Sequence, residues 1–134
     1  MFLGAARDVS NEPHAICLLL DSPIVLEGMS HGRLDIEVFK PGMGMTPAGK
    51  TVIKVVFTSS YQYWKDLRAN KAKYDAEKKL VADLVISRLE RRFPGLRGQI
   101  EAADVMTPVT PERYLGAYRG LQAWAPKIGM GELI

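Results

Sequence analysis

The sequence predicts an α+β domain, a mostly antiparallel or mixed sheet packed against one long helix and shorter helices. Three observations carry that expectation. The first 58 residues hold three strand-like runs joined by short, turn-rich segments. Residues 71–93 then place apolar side chains at helical spacing, and a Pro-Gly break leads into one more strand and one more helix.

Ala15 to Leu20 (AICLLL) is short and continuously apolar, which fits a strand buried on both faces. Asp21, Ser22 and Pro23 end it, and the glycine-rich Gly28 to Arg33 reads as a loop. From Leu34 to Phe39 the apolar Leu34, Ile36 and Val38 alternate with Asp35 and Glu37, the period of a strand with one wet face. Pro41-Gly42 stops it. Thr51 to Thr58 is dense in β-branched residues and is the strongest strand of the three, so a three-stranded antiparallel meander is expected.

Composition then changes. Tyr61 to Arg68 forms a short helix capped by Ser59 or Ser60. The long helix runs from Lys71 to Phe93, with Tyr74, Val81, Leu84, Val85 and Leu89 on its apolar side and Lys73, Lys78, Lys79 and Arg91 on much of the remainder. Pro94-Gly95 terminates it. Ile100 to Met106 is expected to be a strand, and Thr107-Pro108 a turn. Thr110-Pro111-Glu112 then places proline first in a helix behind a threonine cap, ending near Gly116 or Tyr118.

With 134 residues the chain suits one domain, 1–134, with a real core. Hydrophobic residues at 47% and charged residues at 25% argue against disorder. The net charge of +3 is small and its basic residues are mixed with acidic ones from Lys65 to Lys79, so a solvated helix face is expected and no nucleic-acid partner. Cys17 is the sole cysteine, which excludes an internal disulfide; in its apolar run it reads as a small buried hydrophobe. That usage suits a reducing, cytoplasmic location. The start MFLGAARD lacks a signal-peptide pattern, and no run approaches the ~20 apolar residues of a membrane span. Peripheral contact with a membrane stays open.

Gly44 to Thr51 (GMTPAGKT) matches the phosphate-cradling G-x-x-x-x-G-K-[ST] letter for letter. That chemistry needs a helix to open at the Lys-Thr pair, with its N-terminus facing the anion. Val52 to Phe57 is instead strand-like, and Pro47 removes an N–H from the loop, so a hairpin loop is expected. His14 and His31 lack convincing carboxylate partners, and no metal site is expected. There is no G-x-S-x-G elbow. Asp8 with Glu12, and Asp35 with Glu37, are spacings that surfaces show by chance. Met29, Met43 and Met45 suit gap filling first and an adaptable apolar pocket second. Tyr61, Tyr63 and Trp64 suit core packing first and a lipophilic tunnel second.

Several pieces together resemble the phytoene desaturase-like, FAD-dependent oxidoreductases, a family that includes carotenoid desaturases, carotenoid isomerases and retinol saturases. They are Asn11-Glu12-Pro13-His14 before a strand, Pro47-x-Gly49-Lys50-Thr51, Tyr63-Trp64-Lys65, Tyr74-x-x-x-Lys78, Leu89-Glu90-x-x-x-Pro94-Gly95, Thr107-Pro108, Glu112-Arg113-Tyr114, and Gly116 with Gly120. Their order and spacing carry the resemblance, which spans nearly the whole chain.

The resemblance implies the substrate-binding domain of such an enzyme, without the Rossmann-type G-x-G-x-x-G domain that holds FAD. The parent reaction would be hydride transfer between a C–C bond of an apolar, isoprenoid-like substrate and the flavin. The isolated chain would be inactive and carry no bound FAD of its own, with the FAD-binding domain of the same protein as partner. Tyr118, Gly120 and Trp124 are the candidates facing substrate or flavin, and no catalytic residue is assigned. The alternative is a free-standing module that binds an apolar ligand or forms a homodimer.

Overall fold

The computed structural model describes residues 1–9 and 11–120. The elements are β1 (Phe2–Ala5), β2 (Ala15–Leu26), β3 (Met29–Phe39), β4 (Thr51–Val56), α1 (Tyr61–Leu67), α2 (Lys71–Arg92), β5 (Ile100–Asp104) and α3 (Val109–Leu115). Single 3-10 turns occupy Arg97–Gln99 and Tyr118–Gly120. The five strands form one sheet in the order β2-β3-β4-β1-β5, every neighbour antiparallel. The expected α+β class and the antiparallel meander β2-β3-β4 are therefore present.

Period-two alternation decides which face is buried. Leu34, Ile36 and Val38 of β3, Ile53 and Val55 of β4, and Leu3 of β1 all point to one side and are essentially inaccessible. They join one continuous core with Val81, Val85, Ile86 and Leu89 of α2. Those helix positions recur at three- and four-residue steps, so a single stripe of α2 meets the sheet. Asn70 starts α2, its side chain accepting from Lys73 N at 3.1 Å. The Pro94-Gly95 turn ends it as expected. Gly95 sits at φ 80°, and its N–H and that of Arg97 both donate to the Glu90 carboxylate, at 2.9 and 2.8 Å. Ser60 caps α1, accepting from Tyr63 N.

Five expectations need correction. Ala15–Leu20 is not buried on both faces: β2 is an edge strand with β3 as its one neighbour, and Leu19 is 75% exposed. Cys17 is consequently exposed and not a core residue. Asp21-Ser22-Pro23 does not end the strand. The ladder slips there, between Leu19 and Ile24, and pairing resumes as far as Leu26↔Met29. The loop expected at 28–33 shrinks to a two-residue turn, Glu27-Gly28, with φ of 56° and 74°. Both angles are positive, as a tight hairpin between right-twisted strands requires. Finally, α3 starts at Val109 behind Pro108, so Pro111 is its third residue. Proline is tolerated there because N–H groups of a first turn have no intrahelical acceptor.

β1 carries no signal of its own in the sequence. Its four residues are too few to show a period, yet they fill the gap between β4 and β5. Because α2 binds the sheet through one stripe, Leu89→Ala should lower stability by about 2–5 kcal/mol. Leu80→Ala, at a position 49% exposed, should stay within ~0.5 kcal/mol. Equal shifts in the denaturant midpoints of the two variants would contradict this assignment of the helix faces.

Candidate functional site

A cleft of about 640 Å³ opens where the sheet hands over to the helices. The residues after β4 (Phe57 to Ser59), the start of α1, the β5–α3 connection and the Arg119-Gly120 turn surround it. Val55, Trp64, Val81 and Val105 give it a core-like base, since all four are buried. Phe57, Met106 and Pro108 add further apolar surface. An apolar cavity with a few placed polar groups is the usual form of a small-molecule site.

Asp35 and Lys54 line the cleft while paired with Arg33 and Glu37, and two further polar sets lie in or beside it. In the first, the Glu27 carboxylate gathers three donors from the opposite side of the fold. One oxygen accepts from Ser59 Oγ at 2.7 Å and Trp64 Nε1 at 2.5 Å, the other from Ser60 N at 2.5 Å. Glu27 is itself in the left-handed region, which costs a non-glycine residue on the order of 1 kcal/mol. The three charge-assisted bonds offset that cost. They tie the β2–β3 turn to the cap of α1, and Glu27 shares the buried Trp64 N–H with Ser59 Oγ at 2.8 Å.

In the second set, Tyr61 Oη donates to Glu112 at 2.6 Å, and Lys65 Nζ reaches the same carboxylate at 3.0 Å. The Arg119 guanidinium lies 5.4 Å from the Tyr61 ring centre, within cation–π range. The Tyr61 hydrogen bond, followed by the Lys65 ammonium, holds Glu112 below the usual carboxylate range. Behind the cleft, Tyr74 Oη and Thr107 Oγ1 share a 2.7 Å hydrogen bond that fixes the Thr-Pro turn to α2. Burial, then the hydrogen bond to Glu77, pushes the neighbouring Tyr63 phenol up to about 12.

The candidate residues separate. Gly120 lines the cleft at φ 71°, and an added Cβ would overlap the Pro108 carbonyl, so only glycine fits. Its close approach is thus to this chain's own backbone. Tyr118 is 75% exposed and is not among the cleft residues. Trp124 lies outside the described residues. Tyr61 and Trp64, read first as core and second as tunnel lining, do line the cleft. Glu27, Ser59, Glu112 and Arg119 escaped sequence reasoning as a site, and Tyr61 and Glu112 stand 51 positions apart with no local pattern to link them.

The phosphate-loop letters fold as the expected hairpin loop. Lys50 is bound to Glu101 at 2.7 Å, and the buried Thr51 hydroxyl donates to Arg7 O at 2.7 Å. The loop leads into strand β4 and opens no helix. Among the described residues no group of three or more His, Cys, Asp or Glu is placed to hold a metal ion. His14 Nδ1 lies 2.9 Å from Val38 O, and His31 packs edge-on against Phe57. Glu12 pairs with Arg92, Glu37 with Lys54, and Asp35 with Arg33. Met43 and Met45 are exposed and fill no gap.

Part of the chain is similar to prolycopene isomerases and to a retinol reductase, in keeping with the resemblance seen in its motifs. It is 38% identical over 88 residues to the chloroplastic prolycopene isomerase of Daucus carota, a match covering 62% of this chain and 14% of that protein. The chloroplastic prolycopene isomerase of Arabidopsis thaliana is 34% identical over 84 residues, again 62% of this chain and 14% of that protein. The all-trans-retinol 13,14-reductase of Danio rerio is 27% identical over 77 residues, 54% of this chain and 13% of that one. The matches thus span about a seventh of these relatives' length. No family model and no solved structure matches the chain. The loop Gly44 to Thr51 does not fit the phosphates of a dinucleotide, because its lysine and threonine are engaged and it opens no helix.

Two outcomes test the polar sets. Glu27→Gly relieves the left-handed backbone but removes the carboxylate that accepts from Ser59, Ser60 N and Trp64, leaving Ser59 Oγ as the indole's acceptor, a loss of roughly 1–3 kcal/mol. It should therefore destabilise and shift Trp64 emission; a net gain in stability would refute the clamp. Glu112, with its proton affinity lowered by folding, contributes stability above the ordinary carboxylate range that is lost as pH falls through its folded value. Tyr61→Phe should move the Glu112 titration, followed by carboxyl carbon NMR, back up toward that range.

Proposed function

We propose that this chain is a single substrate-binding domain of an FAD-dependent oxidoreductase acting at C–C bonds of an apolar, isoprenoid-like molecule. The observation that carries the reading is an apolar cleft of about 640 Å³ in a chain related to a prolycopene isomerase and a retinol reductase. The relatives' names specify apolar isoprenoids, and Phe57, Trp64 and Met106 supply the surface such a molecule would bury. Flavin would come from a separate FAD-binding domain of the same polypeptide, and this chain alone would have no turnover. Tyr61 and Arg119 would orient the substrate's end at the rim. An exposed Cys17 that needs no disulfide suits a reducing, cytoplasmic setting. No described helix is long and apolar enough to cross a membrane.

A second reading has one observation in its favour. Leu19 and Val56, on the sheet face that α2 leaves uncovered, are 75% and 47% exposed. Such surface suits a dimerising module as well as a partner domain.

The test is a paired titration. Gel-filtered chain incubated with FAD should show no flavin absorbance, while all-trans-retinol should quench tryptophan emission saturably. Phe57→Asp, which places a charge in the apolar cleft, should weaken that quenching at least about tenfold. Stoichiometric flavin, or quenching that never saturates, would sink the proposal. A stable dimer without retinol binding would favour the second reading.

A further inference from the structure

A second, smaller cleft of about 230 Å³ lies away from the apolar one, between edge strand β2 and the C-terminal half of α2. On one side are Leu18 to Asp21, entering the stretch where the β2–β3 ladder slips. On the other are Arg88, Arg91 and Arg92. Their spacing of three and four residues puts all three guanidiniums on one helix face.

The three are not equivalent. Arg91 pairs with Asp21 and Arg92 with Glu12. Among the described residues no carboxylate pairs with Arg88. One of its terminal nitrogens makes a long 3.3 Å contact to Ser22 Oγ, and its Nε is buried without a hydrogen-bond partner. A buried guanidinium N–H left unmatched forfeits a strong bond, and such groups in native proteins are ordinarily satisfied by water or an ion. Three cations against two carboxylates also leave the cleft with a positive excess.

We propose that this cleft binds a phosphate group, with Arg88 as its principal ligand and Arg91 as support. Turned out of its long Ser22 contact, the Arg88 guanidinium presents the now buried Nε and a terminal nitrogen side by side, matching two oxygens of a tetrahedral phosphate. The half-buried Leu18 and Leu20 line one flank. The phosphate is either a free anion or the headgroup of an anionic lipid, for which the 75% exposed Leu19 would supply an apolar contact.

The experiment uses the full chain with two probes, inorganic phosphate followed by calorimetry and phosphatidylglycerol vesicles followed by co-sedimentation, with phosphatidylcholine vesicles as the neutral reference. Saturable binding in either arm is expected, and Arg88→Gln should weaken it about tenfold. Binding in the phosphate arm identifies a free anion; binding confined to phosphatidylglycerol identifies a lipid headgroup. Arg88→Lys, which keeps the charge but loses the fork, should fall between the two. Arg97→Gln, at a residue engaged with Asp83 and Ser87, should leave binding unchanged. Circular dichroism spectra and melting curves of each variant separate lost binding from lost fold. Absence of saturable binding in both arms, an Arg88→Gln variant that folds and binds like the wild type, or equal losses in Arg88→Gln and Arg97→Gln would overturn the proposal.

Discussion

The structure depends on burying one face of a five-stranded sheet under one stripe of α2. Leu34, Ile36, Val38, Ile53 and Val55 supply the sheet's side, and Val81, Val85, Ile86 and Leu89 the helix's. Each removes a branched or bulky side chain from water, worth on the order of 1.5–3 kcal/mol per residue. Everything at the periphery takes its position from that contact. β1 is held because Leu3 completes the buried row, and the Thr-Pro turn because Tyr74 of α2 reaches Thr107.

Burial of one face leaves two places where chemistry can collect. At the end of the sheet where β4 and β5 run out, the chain crosses into helices, and the gap between those crossings is the large cleft. Its polar groups are shared by elements far apart in sequence. Glu27 comes from a hairpin turn, Ser59 and Trp64 from the entrance to α1, and Tyr61 is held from beside the cleft by Glu112 of α3. Glu27 adopts a strained backbone in order to make three bonds, so the turn's geometry and the stability of α1 are linked. At the free edge, β2 slips out of register opposite three arginines of α2 and forms the smaller cleft.

The role proposed for the first cleft rests on similarity to prolycopene isomerases and a retinol reductase. A phosphate-loop pattern elsewhere in the chain has no bearing on it, although its letters match perfectly. The difference is physical. A phosphate cradle is a set of backbone donors at the start of a helix, and Gly44 to Thr51 leads into a strand with its lysine and threonine already satisfied. Gly120 shows the converse. Nothing in its neighbours marks it as special, but the Pro108 carbonyl leaves no room for a Cβ.

Sequence by itself determined the elements whose signal is local. The alternation over Leu34 to Phe39, the β-branched run from Thr51, the helical stripe of α2, the Ser60 cap and the Pro94-Gly95 stop each express a preference of a few adjacent residues. Order and spacing of those pieces also pointed to the right relatives. Only tertiary structure decided the rest. β1 has four residues and no period, so its place in the sheet comes from its partners. AICLLL reads as a doubly buried strand, but its burial depends on having a neighbour on each side, and the fold makes it an edge. The Glu27 clamp, the Tyr61–Glu112 pair and the unmatched Arg88 join residues separated by 32 to 66 positions. Contacts at that range are set by how the sheet and α2 stack, and the local composition of either partner does not encode them.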